Sequence, residues 1–440
     1  MKVLKFGGTS VGTVENMCNV KNIINDGKKK IVVLSAMSGT TNVLVAIANN
    51  IANDMPNEAI DKINKLHETY FNTIDTLLND ELLNTDVKNY VTEIFNFLVE
   101  CTYQDHSINL ENKIVAQGEL LSTYMFHNYL KQEGIKSTLL PALSFMRIDK
   151  NKEPDLFYIK QDFDTIFKEA SETSIYITQG FICLDDEGNI SNLQRGGSDY
   201  TATIIGAVIK AEEVEIWTDI DGMHNNDPRY VENTKPISNL SFDEAAELAY
   251  FGAKILHPQT VTPVRADNIP VRLKNTMNPE AYGTLINDNH TENGVKAIAA
   301  KDYITAIKIK SGRMLLAHGF LKKVFEIFEN YETSIDMITT SEVAISLTVD
   351  DDKNLDRIVE ALEKFSTVEV DKNQTIVCLV GHSIVNHHET FKLFQILQDV
   401  KIRMISYGGS RNNISLLISS KDKIKTLGKL NDYLFELVTL

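Results

Sequence analysis

Met1-Lys2-Val3-Leu4-Lys5-Phe6-Gly7-Gly8-Thr9-Ser10 opens the chain with a short apolar run that stops on two glycines. Val3–Phe6 reads as a strand, and Gly7-Gly8 turns the backbone directly after it. A pair without Cβ atoms lets the main chain approach a bound group closely and aim its amides at an anion. Lys5 then stands at the carboxyl end of the strand, where open α/β sheets collect their ligands. An ammonium there suits the charge of a transferring phosphoryl group. A plain tight turn is the alternative reading of Gly-Gly, and the stretch is no Walker motif, since no Gly-x-x-x-x-Gly-Lys-Ser/Thr occurs anywhere in the chain.

Working outward, further strands are expected at Lys30–Ser35, Ser174–Gln179, Val214–Thr218 and Pro270–Leu273. Between about 43 and 135 the pattern is helical almost throughout, with Phe95, Leu98 and Val99 at helical spacing. Strands alternating with helices predict an α/β sheet for the first ~300 residues. From about Ala300 the units shorten. Strand Ile304–Ile309, helix Gly319–Glu332, strands Ile335–Thr339 and Val343–Val349, helix Leu355–Phe365 and strand Thr367–Val370 are expected. The order then repeats as Thr375–Val380, Glu389–Gln398, Ile402–Ser406, Ile414–Ser419 and Lys423–Phe435. Val324-Phe325-Glu326-Ile327 leading to Ile335-Asp336-Met337-Ile338 is echoed by Leu393-Phe394-Gln395-Ile396 leading to Ile402-Arg403-Met404-Ile405. That internal echo predicts two ferredoxin-like β-α-β-β-α-β modules.

The bulk properties narrow the function class. A length of 440 residues exceeds one compact core and predicts two or three domains. The formal charge of −16 argues against nucleic-acid binding, which needs a basic surface. The start carries no run suited to a signal peptide, and the apolar runs are of strand length, so a cytoplasmic chain without membrane contact is expected. Cys18, Cys101, Cys183 and Cys378 are far apart and match no metal-ligand spacing, so they read as reduced thiols.

Four further stretches carry chemistry. Arg195-Gly196-Gly197-Ser198-Asp199-Tyr200-Thr201-Ala202 opens an apolar helix, whose free amides and dipole attract an anion. Arg195 suits a bidentate carboxylate or phosphate contact, and Asp199 could orient Lys5 or a metal-bound water. Ser198 or Asp199 as a mere helix cap is the plain reading. Ile216-Trp217-Thr218-Asp219-Ile220-Asp221-Gly222 runs from strand into a polar turn, followed by Asn226-Asp227-Pro228-Arg229. Such loops hold a nucleotide's sugar and base, or simply turn the chain. Lys254, in Phe251-Gly252-Ala253-Lys254-Ile255-Leu256-His257-Pro258, reaches for phosphates or lies solvated. Gln117-Gly118-Glu119 sets a carboxylate in apolar surroundings, suited to a substrate ammonium or to a buried ion pair.

Together, Lys5–Ser10, Gln179-Gly180-Phe181, Arg195–Ala202, Trp217-Thr218-Asp219, Asp227-Pro228-Arg229 and Phe251–Pro258 resemble, in order and spacing, the aspartate kinases of the amino-acid kinase superfamily. The double repeat resembles that family's paired ACT modules. The resemblance implies a three-layer αβα catalytic domain over 1–298 and a regulatory region over 299–440. It implies a first ACT module at about 314–385, inserted into a second built from about 299–313 plus 386–440. ATP with nucleotide-bound Mg²⁺ and L-aspartate are the implied reactants. Lys5, Gly8 and Asp199 are implied as catalytic. Ser35, Thr41, Glu119, Phe181, Arg195 and Ser198 are implied to hold aspartate. Lys5, Phe6, Gly7, Gly8, Thr9, Thr218, Asp219, His224, Arg229 and Lys254 would serve ATP. His224 stands where close relatives carry a tyrosine, and imidazole can still stack on a base.

The tail resembles lysine-sensitive members, with threonine as the competing effector. Met314, Ala317, Gly319, Phe320, Leu321, Ser334, Ile335, Asp336, Thr340, Ser341 and Glu342 would form the effector site. Ala317 replaces a serine of some relatives. ACT pairing implies a homodimer or a dimer of dimers. An enzyme acting on glutamate or an acetylated amino acid is the rival, but an acylated substrate leaves Glu119 without an ammonium. A sensor without turnover is the other, against which the intact Lys5, Arg195 and Asp199 speak. The end at Leu440 without a dinucleotide-binding pattern speaks against a fused dehydrogenase.

Overall fold

The computed structural model describes residues 1–170, 172–193, 196–252, 256–289, 293–311, 318–386 and 390–436. Two compact units emerge, one of Met1–Met223, Ser238–Phe242 and Leu256–Asp288, the other of His224–Ile237, Asp243–Ile255 and Asn289–Leu440.

The first unit is built on an eight-stranded sheet. Its strands run in the spatial order Ser137–Leu140, Ile175–Gln179, Lys30–Leu34, Lys2–Phe6, Val214–Thr218, Val271–Asn275, Thr284–Ile286 and Asn239–Leu240. The first six are mutually parallel, and Thr284–Ile286 pairs antiparallel with Val271–Asn275. Lys30-Ile31-Val32-Val33-Leu34 is buried at every position, as a central parallel strand covered on both faces must be. On one face Leu4, Phe6, Val32, Leu34, Ile175 and Ile177 join the helices Val14–Ile24, Thr40–Ala52, Pro56–Leu77, Glu81–Cys101, Ile108–Val115 and Gln117–Gln132 in a single apolar core. The helix Gly197–Ile209 packs against Lys2–Phe6 and Lys30–Leu34. Strand Lys2–Phe6 is flanked by Lys30–Leu34 on one side and by the much later Val214–Thr218 on the other. The strand order therefore reverses at its carboxyl end, and a ligand crevice belongs at that switch point.

The second unit holds a six-stranded antiparallel sheet in the order Ile338–Thr340, Ala344–Val349, Gly294–Lys310, Thr367–His382, Asn413–Ser419, Ile402–Tyr407. Two strands are long and shared. Gly294–Lys310 pairs with Ala344–Val349 through its second half and with Thr367–His382 along most of its length. The expected strands Thr367–Val370 and Thr375–Val380 are thus one continuous element. The pairing seats Thr305–Lys310 in the half that carries Ala344–Val349, while Gly294–Lys301 lies against Ile376–His382 in the half that carries Asn413–Ser419. The fourth strand of the C-terminal half therefore comes from Gly294–Lys301, which begins ahead of the expected 299–313. A register shift between Lys301 and Ile304, with Tyr303 exposed in the left-handed region at φ 62°, separates the two halves of the long strand. Each half buries its own apolar cluster. One gathers Ile307, Val324, Phe328, Leu347 and Leu362, the other Leu379, Leu393, Leu416 and Leu427.

Candidate functional site

The register of the parallel sheet sets the site. Phe6 pairs level with Leu34 on one side and Trp217 on the other, and Leu34 pairs with Gln179. Four adjacent strands thus release Gly7, Ser35, Gly180 and Thr218 along one edge. Gly7 N–H donates to the Trp217 carbonyl at 3.2 Å, Ser35 N–H to the Phe6 carbonyl at 3.2 Å and Gly180 N–H to the Leu34 carbonyl at 2.9 Å. The Gly7-Gly8 turn is crowded. A Cβ on Gly8 would stand 3.0 Å from the Ala36 carbonyl, and the Ser38 N–H donates to the Gly8 carbonyl at 3.1 Å.

Lys5 and Asp199 form an ion pair, Nζ to Oδ1 2.7 Å, with both side chains mostly buried. Asp199 lies in the first turn of the helix Gly197–Ile209, whose entry is Gly196 in the left-handed region at φ 72°. The first turn of any helix leaves amides without intrahelical partners and carries the positive end of the dipole. The lysine and the helix end therefore converge on one place, joined by the aspartate.

Glu119 sits on the other side of the Gly8 turn, in the first turn of Gln117–Gln132, and is 3% exposed. Its Oε1 accepts from the Ala36 N–H at 3.2 Å, while its buried Oε2 has no hydrogen-bond partner among the described residues. Ala36 thus touches the turn with its carbonyl and the carboxylate with its amide. Burial pushes the Glu119 carboxyl up to about 7, against the opposing pull of the Ala36 amide and the Lys5 charge. Tyr70, fully buried, places its hydroxyl 3.1 Å from Thr40 Oγ1, and burial raises its phenol with the Glu119 charge adding to the effect. Thr41 follows in the first turn of Thr40–Ala52 and is half-buried.

Phe181 occupies the left-handed region at φ 67°, a conformation an aromatic residue takes only under constraint. Its N–H donates to Thr201 Oγ1 at 2.9 Å, and Thr201 Oγ1 donates to the Gly197 carbonyl at 3.0 Å. Its ring leaves no room at Gly197, where a Cβ would lie 2.2 Å from it, and a Cβ on Gly180 would lie 2.4 Å from Ser198. Ser198 is buried there. The two glycines and the strained phenylalanine therefore dock the helix start onto the edge that carries Lys5. Ala36 and Tyr70 are contributors that the sequence reading did not name, and Thr201 is one it quoted without a role. Only Thr201 left a signal, as the hydroxyl one turn from Gly197.

Thr218 Oγ1 donates to Asp219 Oδ1 at 3.1 Å, and the Thr276 N–H donates to the Thr218 carbonyl at 2.8 Å. Lys5, Phe6, Gly7, Gly8, Ser35, Thr218 and Asp219 share the strand edge, with Thr41, Glu119, Phe181, Ser198 and Asp199 on the elements that follow it. Arg195, Lys254, Met314 and Ala317 lie outside the described residues. His224 and Arg229 belong to the second unit. There His224 Nδ1 lies 2.9 Å from Thr234 Oγ1, and Arg229 meets Asp227 through Nε at 2.9 Å and Nη2 at 2.6 Å. Among the described residues no group of three or more His, Cys, Asp and Glu could hold a metal. No helix among them is long and apolar enough to cross a membrane.

In the tail, Gly319 at φ 85° starts the helix Phe320–Asn330. Phe320 is core, edge-on to Phe365 at 5.6 Å, while Ile335 packs partly buried on the same cluster. Leu321, Ser334, Thr340, Ser341 and Glu342 are exposed. Asp336 differs from these, with its side chain 1% exposed. Its Oδ1 accepts from Lys301 Nζ at 2.7 Å and from the Tyr250 hydroxyl at 2.8 Å. Lys301 also reaches Asp350 at 2.7 Å. Burial raises the Asp336 carboxyl, with the Lys301 hydrogen bond opposing. Asp336, expected in the effector site, is therefore a buried, charge-paired group.

Residues 1–275 match the amino acid kinase family, and residues 377–434 match an ACT domain. The lysine-sensitive aspartokinase 3 of Escherichia coli is 34% identical over 449 residues, covering 99% of each chain. The chloroplastic aspartokinase 1 of Arabidopsis thaliana is 34% identical over 465 residues, covering 99% of this chain and 80% of its own. Among solved structures, E. coli aspartokinase III in complex with aspartate and ADP superposes with a TM-score of 0.83 at 32% identity, over 99% of this chain and 100% of that one. The same enzyme in complex with lysine and aspartate gives 0.81 at 33% identity, over 99% of both chains. Clostridium acetobutylicum aspartate kinase gives 0.85 at 26% identity, over 99% and 100%.

Proposed function

The chain belongs to the aspartokinases of the amino acid kinase family, and from that premise we infer how its residues move a phosphoryl group from ATP to the β-carboxylate of L-aspartate, giving 4-phospho-L-aspartate and ADP. The nucleophile is ionised at neutral pH, since an unperturbed aspartate titrates at about 4, and no general base is required. The barrier is repulsion between an anionic nucleophile and an anionic phosphate. Lys5, the Gly8 amide and the start of the helix Gly197–Ile209 supply fixed positive potential against it, with the Gly7 amide holding the turn on the Trp217 carbonyl. Magnesium, if bound with the nucleotide, would supply further positive charge at the phosphates. Asp199, 2.7 Å from Lys5 Nζ, is the described carboxylate that would orient a water of that ion.

The observation that carries the reading is Glu119. A buried carboxylate with one oxygen lacking a partner, tied through Ala36 to the phosphate-side turn, is a socket for an ammonium. Glu119 would take the α-ammonium of aspartate, and Ser35, Thr41, Phe181, Ser198 and Arg195 would complete its pocket. Thr218, Asp219, His224, Arg229 and Lys254 would serve the nucleotide. L-Lysine would act through the tail, with Asp336 as the charge for its amine. We further propose that the ACT modules pair with those of a second copy, giving a homodimer or dimer of dimers in the cytoplasm.

The test is ADP release from Mg·ATP with L-aspartate, L-glutamate and N-acetylglutamate as acceptors. Turnover with aspartate alone supports the reading. Equal turnover with N-acetylglutamate would remove the role given to Glu119.

A further inference from the structure

The segment that bears the nucleotide candidates His224 and Arg229 is anchored to the last helix of the regulatory tail. Asn226, almost fully buried, donates through Nδ2 to the Leu427 carbonyl at 3.2 Å and to Asn431 Oδ1 at 3.3 Å. The Ile298 N–H donates to the Asn225 carbonyl at 2.8 Å, and Val231 packs on the apolar cluster of Leu427 and Leu430. One charge completes the anchor. Lys423, in the first turn of the helix Lys423–Asn431, is 7% exposed. Its Nζ stands 3.8 Å from the centre of the Tyr230 ring and 2.5 Å from Asp302 Oδ2. Asp302 is fixed in turn, because its Oδ1 accepts from the Thr375 hydroxyl at 2.9 Å.

A lysine is rarely buried without purpose, and at the first turn of a helix it faces an unfavourable dipole. Here its surroundings are arranged for it, with an aromatic face on one side and an oriented carboxylate on the other. Tyr230 adjoins Arg229, and its N–H donates to the Asp227 carbonyl at 3.1 Å. Burial works against the Asp227 charge, yet the Arg229 contacts and then the Lys423 charge hold its carboxyl below the usual range. Lys423 thus acts on the turn through Tyr230 and through Asp227, and Arg229 leaves that turn.

We propose that Lys423 is a positioning residue for the nucleotide, clamping the turn Asp227–Tyr230 so that Arg229 is presented in one orientation. The inference rests on the reading that His224 and Arg229 serve ATP. It makes the last tail helix part of the support of the nucleotide segment even when no effector is bound.

The experiment compares wild type, Lys423→Ala, Lys423→Arg and Tyr230→Leu, without effector. Michaelis constants for Mg·ATP and aspartate, ADP binding by calorimetry and melting temperature are measured on each. Lys423→Ala and Tyr230→Leu are expected to weaken ADP binding and raise the ATP constant about tenfold, as for loss of one cation–π or charged contact. The aspartate constant stays within about twofold, because no aspartate group is touched. Lys423→Arg, which can both stack and pair, is expected to restore most of the loss. Unchanged ADP affinity in both Lys423→Ala and Tyr230→Leu overturns the proposal. So does a parallel rise of both constants that tracks a fall in melting temperature, which marks general loosening. If wild type shows no aspartate-dependent turnover, the kinase reading fails, and ADP affinity across the variants still decides the role of Lys423.

Discussion

Glu119 shows how one side chain ties chemistry to pH. Its carboxyl, raised to about 7 by burial, must be ionised to hold an ammonium. Protonation below that value removes the attraction, so kcat/KM for aspartate is expected to fall about tenfold per pH unit below about pH 7 and to level off above it. Glu119→Gln should abolish that limb and raise KM for aspartate by about a hundredfold, the loss of a buried charged hydrogen bond, while KM for ATP moves little. A wild-type profile flat down to about pH 5.5 would remove the assignment. Lys5→Met is expected to lower kcat by about a thousandfold, as for loss of a preorganised charge, with aspartate affinity preserved. Single-turnover phosphoryl transfer checks it. At this scale the sequence was informative where chemistry and position coincide. Lys5 and Asp199 were legible because a strand end and a helix start announce themselves. The partners of Asp336 were not, since Lys301 and Tyr250 lie 35 and 86 residues away and no local pattern marks the meeting.

Among the elements, the start of the helix Gly197–Ile209 is the critical one. Gly197→Ala forces a Cβ against the Phe181 ring, and about 2 kcal/mol of stability is expected to be lost, as for other overpacked contacts. Gly180→Ala pushes on Ser198 in the same way. Both should lower kcat/KM more than Gly188→Ala, a control whose glycine meets nothing within 4 Å although its φ of 86° strains any substitution. Denaturant unfolding alongside kinetics separates the two effects. The central parallel strands were readable because burial on both faces leaves continuous apolar runs, as in Ile31–Leu34. The short elements that finish one end of the sheet, Thr284–Ile286 and Asn239–Leu240, were not, having neither length nor alternation. Helices and strands of the tail were also legible, through their repeat. Which half each long strand served was not, because the shift at Tyr303 depends on partners more than 40 residues away.

For the whole molecule, the question is how a sensor tail reaches a charged site. Asp336→Ala leaves Lys301 paired with Asp350, so the fold should survive while the charge proposed for the effector amine is lost. Lysine inhibition is expected to weaken by about thirtyfold or more, the worth of a buried charged contact, with kcat unchanged. Dose–response curves at fixed substrate give the answer, and unaltered inhibition would move the effector site elsewhere. The most direct test of the central claim traps the product. An acyl phosphate reacts with hydroxylamine to give a hydroxamate, so the protein is incubated with Mg·ATP, hydroxylamine and L-aspartate, with and without millimolar L-lysine. Aspartyl hydroxamate formed with aspartate, absent with N-acetylglutamate and suppressed by lysine, is the predicted result. ATP consumption without any aspartate-dependent hydroxamate would contradict the account.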